Sequence, residues 1–94
     1  MKIEKFEDIV AWQKAYKLVL DIYHDVHAKT DYSFRDQITR AAVSVMNNIA
    51  EGFERGGDKE LKRFLYLSKG SCGEVRSMLL LAKDLGYLTE NNYQ

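Results

Sequence analysis

Apolar side chains recur at three- and four-residue steps along most of this chain, and that period predicts α-helices. Ile9, Trp12, Tyr16, Val19, Leu20, Tyr23 and Val26 share one face of a first helix expected over residues 6–28. Glu7 and Asp8 in its first turn suit the positive end of the helix dipole. The three aromatic residues are expected to pack in the core, with hydroxyls or the indole nitrogen at its rim. A base-stacking role would need their rings exposed.

The segment from Ala28 to Ser33 reads as a connection. Ser33, with Asp36 three residues on, resembles a capping box with Asp in place of Glu, so the second helix is expected over 34–54. Phe34, Ile38, Ala42, Val45, Ile49 and Phe53 form its apolar stripe, with Met46 on the flank. At about 100° per residue, Gln37, Ala41, Ser44, Asn48, Glu51 and Arg55 fall in a strip roughly 80° wide beside that stripe. An ordinary surface helix would carry Lys and Glu there. Small and amide side chains instead fit a close helix–helix contact with interhelical hydrogen bonds.

Gly52, Gly56 and Gly57 precede Asp58, an expected N-cap, and the two later glycines are candidates for a left-handed C-cap that reverses the chain. A glycine-rich loop beside Arg55 and Lys59 could hold a phosphate, but no strand precedes it and the GK[ST] signature is missing. A helix-hairpin turn is the simpler reading. The third helix is expected over 58–86, with Leu61, Phe64, Leu65, Ser68, Cys72, Val75, Leu79 and Ala82 on one face. Leu67, Ser71, Met78 and Leu85 extend that face. Lys62, Lys69, Arg76 and Lys83 recur every seventh position and read as a solvated edge. Gly70 and Gly73 sit mid-helix, where each costs about 1 kcal/mol relative to alanine, a cost usually offset by close approach of another backbone. That approach would present Ser71 and Glu74 to the polar strip of the second helix. Gly86 suits a helix C-cap, and Thr89 with Glu90 suits the start of a fourth helix over 89–94.

Composition adds boundaries to this picture. The 94 residues allow one domain, 1–94, and 46% apolar with 30% charged residues describes a folded chain. Fourteen basic residues balance fourteen acidic ones, so no global field points to a polyanion. Residues 35–76 carry eight basic and six acidic side chains, which makes the central helices mildly basic. Cys72 is the only cysteine and is expected in the core; an intrachain disulfide is impossible. No apolar run approaches the roughly 18 residues of a membrane span, and no signal peptide opens the chain, so a cytoplasmic location is expected.

Several motifs occur in order: Phe6, Asp8, Trp12, Gln13 and Ala15; Gln37, Ile38, Arg40, Ala41, Ala42 and Ser44; Asn48-Ile49-Ala50-Glu51-Gly52; Phe64-Leu65; and Lys69-Gly70-Ser71 with Glu74. This series strongly resembles the bacterial family of 23S rRNA intervening-sequence proteins over nearly the whole chain. Related to that family are the accessory variability proteins of diversity-generating retroelements. The resemblance implies an all-α, up-and-down antiparallel helix bundle of the four-helix type, assembled as a homopentamer. Here three long helices are followed by only the start of a fourth. For the retroelement relatives it implies binding to a reverse transcriptase and to nucleic acid through a basic surface.

Two non-enzymatic functions follow as expectations. One is a homo-oligomer that binds RNA, DNA or a nucleic-acid enzyme such as a reverse transcriptase, with Arg40, Arg55, Lys59, Lys62, Arg63 and Lys69 as contacts. The other is a purely structural self-assembly module in which Gln37, Ser44, Asn48, Glu51, Gly52, Gly70, Ser71 and Glu74 form a polar packing strip. No membrane partner, cofactor, metal or catalytic residue is expected. Glu51, Glu74 and His27 lack the Glu-x-x-His spacing of di-metal bundles, and no nucleophile–base pair is present.

Overall fold

A computed structural model describes residues 3–26 and 31–88. His27 and Ala28, the expected end of the first helix, lie outside the described residues, as does the expected fourth-helix start at 89–94. The described residues are all-helical: a 3-10 turn over Phe6–Asp8, then α1 (Val10–Asp25), α2 (Tyr32–Arg55) and α3 (Asp58–Leu85). The only β-type contact among them is an isolated bridge between Val26 and Leu88. That bridge joins the segments just past the C-terminal ends of α1 and α3, so these helices run the same way and α2 runs against them. The molecule is elongated, 43 × 21 × 19 Å, because α3 with its 28 residues spans about 42 Å.

Each boundary has a local cause. The first helix starts four residues later than its apolar period suggests, because Ile9 is extended (φ −77°, ψ 121°) and separates α1 from the 3-10 turn. Glu7 and Asp8 therefore sit in that turn and not at the end of the α1 dipole. The Gln13 side chain donates to the Glu7 carbonyl at 3.0 Å, and the Phe6 ring meets Trp12 edge-on at 5.2 Å. The second helix begins at Tyr32, and its cap is Asp31 in place of the expected Ser33: Asp31 Oδ1 accepts the Phe34 amide at 3.1 Å. Asp58 is the first residue of α3 and Gly57 its N-cap. Gly56 and Gly57 have φ of 73° and 87° with ψ of 148° and 143°, a positive-φ conformation open essentially to glycine alone and not the left-handed helical one. That left-handed cap is found at Gly86, whose amide donates to the Lys83 carbonyl while Tyr87 donates to Ala82 at 2.8 Å.

The core lies along α2. Phe34, Ile38, Ala42, Val45 and Ile49 are buried, with Ile38 and Ala42 fully so. They meet Ala15, Val19 and Ile22 of α1 on one side and Val75 and Ala82 of α3 on the other. α2 packs on both neighbours, whereas α1 and α3 scarcely touch. This arrangement overturns several core expectations. Cys72, Leu65, Tyr16 and Tyr23 are exposed, because α2 covers only part of the apolar face of each outer helix; Tyr23 stands at the margin, with the Arg35 guanidinium 5.9 Å from its ring centroid. Leu20, Leu67 and Leu85 are exposed for the same reason. Trp12 is half-buried and stacks on Tyr16, and its indole nitrogen is enclosed without a hydrogen-bond partner, not held at the rim.

Candidate self-association and nucleic-acid surfaces

The α2–α3 seam brings two polar rows together at two points. Ser44 and Ser71 share a hydroxyl hydrogen bond of 2.9 Å, and the Gln37 amide donates to Glu74 Oε2 at 3.4 Å. Asn48 turns inward along its own helix, donating to the Ser44 carbonyl at 2.8 Å and to its hydroxyl at 2.9 Å. The rows run at the rim of the seam: Gln37, Glu51 and Glu74 are exposed, and Ser44, Asn48 and Ser71 are half-buried. Glu51 pairs with Arg55 of its own helix at 3.0 Å. Within one chain the long side chains of Gln37, Glu51 and Glu74 reach water at low cost, so nothing forces them inward.

The glycines exchange roles. Gly70 and Gly73 are exposed, and a Cβ at either would meet nothing within 4 Å, so no backbone approaches α3 there. Gly52, buried inside α2, is the point of close approach. A Cβ there would stand 2.7 Å from Phe64 Cβ and 3.4 Å from Leu61 Cα.

One buried polar side chain also holds the seam, Ser68, which periodicity placed among the apolar residues. Ser68 donates to the Val45 carbonyl at 2.8 Å across the helix pair. Thr39 bonds back to the Arg35 carbonyl at 2.8 Å within α2. Arg35 ties α2 to α1, donating to the Val26 carbonyl at 2.7 Å and to the Tyr23 carbonyl at 3.3 Å. An arginine in the first turn of a helix opposes that helix's own dipole, and this was the available hint that it serves a neighbouring C-terminus. Asp31 uses its second oxygen to accept the Tyr87 hydroxyl at 2.9 Å. That bond, burial and the carboxylate charge together raise the Tyr87 pKa above 10.0.

The basic candidates divide into two groups. Arg40 pairs with Asp36 at 3.0 Å, Arg55 with Glu51 at 3.0 Å and Arg63 with Glu60 at 3.3 Å. Arg55 and Arg63 also lie over the Phe64 ring, 5.0 and 4.6 Å from its centroid. These three guanidiniums each pair with a carboxylate of their own helix. Lys59, Lys62 and Lys69 are exposed and form no ion pair among the described residues.

Among the described residues, no three His, Cys, Asp or Glu side chains gather to hold a metal ion. His27 of the considered metal set lies outside the described residues, while Glu51 and Glu74 make the separate contacts given above. No described helix is long and apolar enough to cross a membrane. An open groove of about 540 Å³ runs between α1 and α3.

No curated protein matches the chain. The family model of the 23S rRNA-intervening sequence protein matches residues 7–94. It spans all three helices, the Asn48–Gly52 segment and the Ser44–Ser71 seam. This chain belongs to the 23S rRNA-intervening sequence protein family.

Proposed function

We propose that this protein is a non-enzymatic homo-oligomer whose helices serve as packing surfaces for further subunits. The observation that carries this reading is the amount of large apolar surface left on α3. Leu80 is 63% exposed, Leu85 50%, Leu81 49% and Leu67 47%, so two sides of one helix show leucine to water. Single exposed leucines are ordinary, but aligned rows rimmed by polar residues mark interfaces. Light-scattering mass of the purified protein tests the reading. A mass several times the 10.9 kDa of one chain is expected. A monomer persisting at about 100 µM would overturn it, since an assembly that weak has no standing in a cell.

A second function on the same scaffold, binding of RNA, DNA or a nucleic-acid enzyme such as a reverse transcriptase, draws on Lys59, Lys62 and Lys69. Lys62 and Lys69 continue with Arg76 and Lys83 as a basic row along one edge of α3, each seven residues from the last. Phosphate contacts from such a row gain most at low salt. Filter binding to structured RNA and to DNA is expected to show retention near roughly 50 mM salt that fades toward 200 mM. No retention at the lower salt removes this reading and leaves self-assembly alone.

A further inference from the structure

Trp12 is the only tryptophan in the chain, and the residues before it are arranged around its ring. Tyr16 stacks on the indole at 5.2 Å, and Phe6 meets it edge-on at 5.2 Å. The same ring packs on the cluster of Ala15, Val45 and Ile49. Less than 1 Å² of the indole nitrogen can be touched by water, and it meets no acceptor among the described residues. No water fits against that nitrogen, therefore, unless a neighbour moves. Residues 3–8 are the neighbour with least to lose. None of them is buried, and the 3-10 turn has no side-chain cap. Two side-chain ties join the turn to α1: the exposed bond from Gln13 to the Glu7 carbonyl at 3.0 Å, and the Phe6 ring.

We infer that residues 3–8 form a strap that swings about Ile9, and that the unmatched Trp12 N–H leaves its closed form only slightly favoured over an open one. Ile9 is built as the hinge. Its amide belongs to the turn, donating to the Phe6 carbonyl at 2.9 Å, and its carbonyl belongs to α1, accepting the Gln13 amide at 3.0 Å. Rotation about the extended Ile9 backbone between them breaks neither bond. Closing gains the Phe6–Trp12 ring contact and the Gln13 bond, each a modest term. It costs the indole N–H its hydrogen bond to water, worth about a factor of ten in an equilibrium constant. Gain and cost are of similar size, so the strap is open part of the time. The open form shows the Trp12 ring and frees its donor for an acceptor. This device needs no second subunit, and it gives Phe6, Trp12 and Gln13 of the first sequence motif one shared task.

Chymotrypsin cleavage after Phe6, followed by mass spectrometry, reports the open population, because the protease needs that segment extended and free. With Trp12 the only tryptophan, replacing tryptophan by β-(3-benzothienyl)alanine puts sulfur in place of the indole N–H at that position alone. The ring keeps its shape and loses its donor, so the strap is expected to close more firmly and cleavage to slow about tenfold. Gln13→Ala removes the tie to Glu7 and is expected to speed cleavage about fivefold. Cleavage that is unchanged or faster with the sulfur analogue overturns the proposal, since the N–H then costs the closed strap nothing. Hydrogen exchange on the wild type gives an independent reading. The Trp12 indole proton is expected to exchange through an opening that urea does not accelerate, with less protection than the Val19 amide of the same helix. An indole proton that exchanges only together with Val19 overturns the strap, because the ring is then uncovered by loss of α1 and not by residues 3–8.

Discussion

Glycine positions show how one side chain's absence can be structural in one place and incidental in another. At Gly52 the α2 and α3 backbones meet closely enough that a methyl group would stand 2.7 Å from Phe64 Cβ, an atom that cannot swing away. Gly52→Ala gains up to about 1 kcal/mol of helix propensity and loses roughly 1–3 kcal/mol to overpacking, so net destabilisation is expected. Gly73→Ala gains the propensity with no steric loss, and a rise of about 0.5–1 kcal/mol is expected. Urea melts of the two variants, read by far-ultraviolet dichroism, should move in opposite directions. The close approach was hard to read in the sequence because both kinds of glycine interrupt a helical period equally. Only the facing helix tells them apart, and Phe64 and Leu61 become neighbours of Gly52 through the turn at Gly56 and Gly57.

At the scale of elements, the ends of helices carry more of the tertiary structure than their lengths suggest. Asp31 caps α2 with one carboxylate oxygen and holds Tyr87, beyond the end of α3, with the other. The Tyr87 hydroxyl donates that bond, so ionising it would set a phenolate against a carboxylate; its pKa lies above 10.0 in the fold. An unfolded tyrosine ionises near 10, so this stabilisation is fully present below pH 10.0 and is lost as pH rises through the raised folded value. Wild type is therefore expected to lose thermal stability above pH 10 with a steeper slope than Tyr87→Phe. Equal slopes would show that Tyr87 does not titrate against Asp31. Asp31→Ala removes the cap as well, and about 1 kcal/mol of loss at neutral pH is expected from the cap alone.

These element ends were partly legible. Gly86 followed by an apolar pair announced its cap, and the residue was right. The cap fell to Asp31 and not to the expected Ser33, and Asp31 is also the residue that Tyr87 reaches from the far end of the chain. The second helix's apolar stripe was readable because neighbours cover both its sides, leaving one unambiguous buried face. α1 and α3 have a neighbour on one side each. A 3.6-residue period gives the width of an apolar face but not how much of it finds a partner, which is why Cys72, Leu65, Tyr16 and Tyr23 are exposed. The polar strip's direction followed from angle alone. Its depth did not, because long amide and carboxylate side chains reach water from positions where serine cannot.

For the whole molecule, the unequal attachment of the outer helices sets the order in which it comes apart. α2 and α3 share the longer interface, reinforced by Ser68, by the Ser44–Ser71 pair and by the contact at Gly52. α1 is shorter, has no side-chain cap at its N-terminus and leans mainly on α2. Hydrogen exchange in the native state should therefore find two cooperative units, with α1 amides opening at lower free energy than those of the α2–α3 hairpin. Uniform protection across all three helices would contradict that division. If it holds, the thin contact between α1 and α3 makes the first helix a detachable third of the bundle. Its departure would leave a helical hairpin with one apolar flank bare, so any subunit that covers the groove and touches both outer helices also acts as the clasp that keeps α1 in place.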